Sequence, residues 1–114
     1  MTVNNYLSVG EGTVLTIDGD LLSSGGGKIT NSGTISAVDF TVSKPDKYTK
    51  YTQTNTNAVL ALTGNFDGNN STYINIPAGT VVFDGTTQQT VNYLSAYNIE
   101  VLNPEGIKYL SSIS

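Results

Sequence analysis

The amino-acid sequence predicts an all-β chain: a short parallel β-helix, or β-solenoid, of a few coils, with 1–114 as a single domain. Three observations predict it. Polar positions are filled mainly by Thr, Ser, Asn and Gly, while charged residues make up 12% of the chain, about half the usual share of about 25%. Apolar residues recur in runs of three to five, each closed by Gly, Asn or Asp. Part of this rhythm repeats after a break at 43–57. Exposed helices are built from Glu, Lys, Gln, Arg and Ala, so this composition favours strands and tight turns. Disorder is disfavoured, because β-branched and aromatic residues recur throughout and the net charge is only −4.

The elements follow in order. Tyr6-Leu7-Ser8-Val9 is a strand closed by Gly10-Glu11-Gly12. Thr13 to Ile17 is the next; Leu15 and Ile17 share one face by the period of two, and Asp18-Gly19 turns the chain. Asp20 to Ser23 is a third, and Ser24-Gly25-Gly26-Gly27 a corner where left-handed backbone angles are cheap. Lys28-Ile29-Thr30, Thr34 to Ala37 and Asp39 to Val42 continue the series. Strands this short are unstable as isolated hairpins. They suit the sides of a coil, where each strand pairs with those above and below it.

Residues 43–57 break the pattern. They hold Pro45, three of the five Lys, and Tyr48 and Tyr51, with almost no aliphatics. The stretch reads as an insertion projecting from the scaffold, since long insertions on repeat scaffolds map to loops on one face. The rhythm then restarts. Val59 to Phe66 aligns with Val14 to Leu21 at an offset of about 45 residues, with Leu60 over Leu15, Leu62 over Ile17 and Phe66 over Leu21. This weak repeat, 13–42 against 58–83, implies coils of roughly 20 to 23 residues if it spans two of them. Tyr73 to Ile76, Val81 to Phe83, Thr90-Val91, Ile99 to Val101 and Ile107 to Leu110 are the later strands, with Pro77 and Pro104 at segment ends.

Gly79-Thr80-Val81-Val82-Phe83-Asp84-Gly85-Thr86-Thr87-Gln88-Gln89-Thr90-Val91, followed by Tyr97-Asn98-Ile99-Glu100-Val101-Leu102-Asn103-Pro104-Glu105-Gly106-Ile107, resembles the coils of bacterial right-handed parallel β-helix surface proteins. These are the filamentous-haemagglutinin-like adhesins and autotransporter-type passengers. Thr16 to Leu21 and Ile29 to Ile35 are similar to such coils too. The resemblance covers about four-fifths of the chain, excludes 43–57, and implies an extracellular or cell-surface, elongated, structural or adhesive role.

Composition excludes some chemistry. There is no His, Cys or Trp, and all five basic residues are Lys. A disulfide framework is absent, nucleic acid is disfavoured, and no apolar run approaches the ~20 residues that cross a bilayer as a helix. Polysaccharide-active sites need carboxylates with a base or a cationic stabiliser. Here Asp18, Asp67, Asp84 and Glu105 each precede Gly, where turn chemistry accounts for them. The chain is therefore expected to be non-enzymatic, without cofactor or metal. Calcium at Asp18-Gly19-Asp20 or Asp67-Gly68-Asn69-Asn70 matches no recognised spacing. Asn31, Asn65 and Asn103 are candidates for stacked amide ladders at corners.

Two functional expectations follow. Both ends read as open coil faces, so end-to-end stacking into a homopolymer or surface fibre is expected. The candidate contact for a glycan or a cell-surface protein is Tyr48, Lys50 and Tyr51, because Tyr is an efficient amphipathic contact residue. The alternative function is a carbohydrate-binding β module; a polysaccharide-active enzyme fragment ranks below it, for want of Arg and His.

Overall fold

The computed structural model describes residues 1–43, 50–69 and 74–110. The chain winds through three sides in a fixed order, so through the first thirteen strands every third strand returns to the same sheet. The first turn comprises β1 (Thr2–Val3), β2 (Tyr6–Val9) and β3 (Val14–Thr16). The second comprises β4 (Leu21–Ser23), β5 (Lys28–Asn31) and β6 (Thr34–Ala37), and the third β7 (Phe40–Val42), β8 (Tyr51–Thr52) and β9 (Val59–Leu62). The fourth has β10 (Phe66–Asp67), β11 (Ile74–Asn75) and β12 (Thr80–Phe83). β13 (Gln89–Asn92), β14 (Ile99–Val101) and β15 (Ile107–Tyr109) complete the stack.

Three parallel sheets result. Sheet A runs β1-β4-β7-β10-β13-β15, sheet B runs β11-β8-β5-β2, and sheet C runs β14-β12-β9-β6-β3. The last turn adds β14 to sheet C and β15 to sheet A, with no further strand in sheet B among the described residues. The molecule is a β-solenoid of about five turns, as composition and rhythm predict. Strands of two to four residues are stable here because each is bonded to the turns on either side, not to its sequence neighbour.

Period-two alternation builds the core. In sheet C, Leu15, Ile35, Leu60, Val81 and Ile99 occupy successive rungs of one inward column. A second column holds Ala37, Leu62, Phe83 and Val101. In sheet A the column is Leu21, Phe40, Phe66, Val91 and Tyr109. Phe40 and Phe66 stack at 5.1 Å between ring centroids, and the Tyr51 ring meets Phe40 edge-on at 5.3 Å. Burying each such side chain contributes about 1.5–3 kcal/mol. One contiguous apolar core runs along the axis.

Polar side chains hold the corners. At the corner from sheet C to sheet A, the Oδ1 of Asp20, of Asp39 and of Asn65 each accepts a backbone N–H from the next turn, from Asp39, Asn65 and Thr90 respectively. Inside the same corner, the Gln89 amide donates to the carbonyls of Leu62 and Gly64, and its Oε1 accepts from Gly85 N–H and Asn103 Nδ2. Asn31, Asn65 and Asn103 therefore do not stack as a common amide ladder. Each is tied mainly to backbone, with Asn31 and Asn103 buried and Asn65 exposed.

Candidate functional site

Of the residues expected to contact a partner, Tyr48 lies outside the described residues. Lys50 and Tyr51 are buried, and this corrects the reading of those two as surface contacts. Tyr51–Thr52 form β8, paired with β5 on one side and β11 on the other. The physical reason lies in the corner from sheet B to sheet C. The Tyr51 hydroxyl donates to Gln53 Oε1 at 2.5 Å and accepts from Asn31 Nδ2 at 3.0 Å. Asn31 Nδ2 also donates to Val59 O at 2.8 Å, and its Oδ1 accepts Gly33 N–H. Gln53 Nε2 is shared among the carbonyls of Ala58, Ala78 and Thr80, at 3.2–3.3 Å. Three polar side chains thus bind one another and three successive turns, so each is satisfied without water. Burial pushes the Tyr51 hydroxyl well above its ordinary range, and the Asn31 hydrogen bond offsets part of that.

Three of the carboxylates are engaged locally. Asp20 and Asp39 belong to the corner ladder, and Asp67 accepts from Asn69 N–H and Asn92 Nδ2. Among the described residues no group of three or more acidic, His or Cys side chains is placed to hold a metal ion.

Among the described residues, two kinds of exposed feature bear on function. The first is the pair of axial ends. At the start of the stack, Leu7, Leu15 and Ile17 point inward but are only half-buried, while their column mates Ile29, Ile35 and Ala37 are buried. At the other end, Val101 is 42% exposed and Tyr109 56% exposed, although Phe83 and Val91 one rung below are fully buried. Sequence reading locates these ends but not which side chains lie open on them, because that depends on register.

The second feature is a pair of shallow clefts beside sheet B. One, of about 310 Å³, is lined by Asn5, Tyr6, Gly26 and Lys28. The Lys28 ammonium lies 5.7 Å from the Tyr6 ring centroid, a cation–π contact. The other, of about 300 Å³, lies between β11 and the chain at 95–97 and includes Tyr97. Both tyrosines sit in runs whose strand character masks them in the sequence; only the winding brings each beside a neighbouring turn.

Comparison with known proteins adds no further identity: no protein-family model, no curated protein and no solved structure matches this chain. Among the described residues the geometry places a sealed polar corner, half-exposed core side chains at both axial ends and two lateral clefts on a β-solenoid.

Proposed function

We propose that this chain is a non-enzymatic structural or adhesive β-solenoid unit, working outside the cell, that extends by end-on contact between copies. The observation that carries this reading is the half-exposed core at both axial ends. Among the described residues an internal turn has a neighbour on each side, whereas β1, β2 and β3 at one end and β14 and β15 at the other are paired on one side only. An open edge presents unpaired N–H and C=O groups in strand spacing, which is a template for another strand. Copies joined head to tail use two different faces, and such a contact propagates into a filament when the rotation does not close.

The size is adequate. Six strands at about 4.8 Å spacing put the axis along the shortest extent, 26 Å, so an end face is bounded by the two larger ones, 35 and 30 Å; it covers at most about 1,000 Å² per partner, enough for a standard specific interface. Apolar contacts there are Leu7, Leu15 and Ile17 against Ile99, Val101, Ile107 and Tyr109. The extracellular setting is supported by a cysteine-free, Thr/Ser/Asn/Gly-rich chain with few charges, and by the resemblance of its later coils to those of bacterial β-helix surface proteins.

Sedimentation velocity with electron microscopy tests the proposal. The wild-type chain is expected to form rods one molecule wide whose length grows with concentration. Leu15→Lys and Val101→Lys place a charge on opposite ends, and each is expected to block growth. A mixture of the two variants regains one contact, between the unmodified end of each, and is expected to yield dimers. A wild-type chain that stays monomeric from micromolar to millimolar concentration refutes the proposal.

A further inference from the structure

We infer that the cleft at Tyr97 is a binding site for a neutral glycan, with the Tyr97 ring as its stacking platform. This inference does not depend on end-on assembly, because the cleft opens sideways. Tyr97 N–H donates to Ile76 O at 2.9 Å, which sets Tyr97 beside Pro77 on the preceding turn. Ile76 is buried and points inward, whereas Asn75 and Pro77 on either side of it are exposed. By the two-residue period, Tyr97 shares the outward side of Pro77, and it is 77% exposed.

The lining has the character that sugar recognition needs. Ile74, Pro77 and Tyr97 supply apolar surface, and Asn75 and Ser95 supply an amide and a hydroxyl at its edge. A pyranose ring has one face of C–H groups and a rim of hydroxyls. The C–H face packs on an aromatic ring whose π face is electron-rich, while the rim takes directional hydrogen bonds. None of the described lining residues carries a charge, which selects a neutral sugar over a uronate. The volume, about 300 Å³, lies at the low end of ligand clefts, about 300–1,000 Å³, and fits a sugar ring or two. The chain has no Trp, so Tyr is its amphipathic platform.

The Tyr6 cleft is the natural contrast. Tyr6 is as open, at 75% exposure, but its ring already carries the Lys28 ammonium.

The test is titration, followed by backbone NMR, with four soluble hexasaccharides: those of β-1,4-glucose, β-1,4-mannose and β-1,4-N-acetylglucosamine, with hexagalacturonate as the charged comparator. At least one neutral probe is expected to shift the amide signals of Asn75, Ser95 and Tyr97. Tyr97→Ala is expected to weaken that binding by about tenfold or more, Asn75→Ala by about threefold, and Tyr6→Ala by less than about twofold. Tyr97 is exposed, so its variant is expected to fold normally, which circular dichroism checks. Four outcomes overturn the inference: no neutral probe binds at millimolar concentration; only hexagalacturonate binds; a decaproline peptide, the polypeptide ligand of aromatic clefts, binds where the sugars do not; or Tyr97→Ala retains full affinity.

Discussion

At the scale of single residues, the decisive groups are buried and polar. Tyr51 is surrounded by Asn31, Gln53 and Phe40, and its hydroxyl is the only donor to Gln53 Oε1 among the hydrogen bonds of the described residues. Tyr51→Phe keeps the ring and removes the hydroxyl, leaving a buried amide oxygen without a partner. We expect a loss of about 1–3 kcal/mol in urea denaturation at neutral pH. The same side chain gives a pH dependence whose sign is fixed. Its folded-state value is raised above the ordinary 10.0, so the folded chain holds the proton after the unfolded chain has released it. The associated stability is whole below about pH 10 and falls as pH climbs past it, with a limiting slope of about 1.4 kcal/mol per unit. Subtracting the Tyr51→Phe curve from wild type isolates this slope from the lysines and the other tyrosines. If the two curves stay parallel through the alkaline range, Tyr51 is not the buried group described here.

At the scale of elements, strands are set by alternation and corners by close approach. Gly33 shows how tight the corners are. A Cβ there would fall on the carbonyl oxygens of Gly10 and Thr13 in the turn below, while Gly33 O accepts the Val59 N–H of the turn above at 2.8 Å. Backbone presses from both sides, so nothing flexible can yield. Gly33→Ala is expected to cost about 3 kcal/mol in chemical denaturation. Gly26→Ala, where the new methyl meets nothing within 4 Å, should change stability by less than about 0.5 kcal/mol. Equal costs at the two positions would show that contact between turns is not what Gly33 serves.

The same contrast explains what was legible in the sequence. Ile35 with Ala37, Leu60 with Leu62 and Val81 with Phe83 announce inward positions, because an apolar residue at every second place has one economical burial. β8 was hidden, since Lys50-Tyr51-Thr52-Gln53 offers polar groups where a core strand normally offers aliphatics. Those groups are buried only because Asn31 and the carbonyls of Ala58, Ala78 and Thr80 come from other turns, and a local reading cannot supply them. β1 was missed for a related reason: two residues, Thr2–Val3, carry no periodicity until β4 lies beside them. The Tyr97 cleft was invisible, because its two walls are about twenty positions apart in the chain.

At the scale of the whole molecule, contacts run almost entirely between adjacent turns, so stability is close to a sum of neighbour terms along one axis. The end turns have one neighbour each and should open first. Hydrogen exchange is expected to show the strongest protection in β6, β7 and β9, with β1, β14 and β15 the weakest. If copies join end to end, protection at β1, β3, β14 and β15 rises with protein concentration while the middle stays constant. Uniform protection along the axis, or end protection indifferent to concentration, would count against both the neighbour picture and the joining of ends. One property of the winding reaches beyond stability. From Val91 to Tyr109 the chain spends eighteen residues on a turn, and from Phe40 to Phe66 twenty-six. Both advance the axis by the same strand spacing, about 4.8 Å. The solenoid is thus a ruler graduated in turns and blind to residues. Corners can lengthen, shorten or change sequence over evolutionary time without moving the graduations, so whatever is displayed on its sides keeps its distance along the rod.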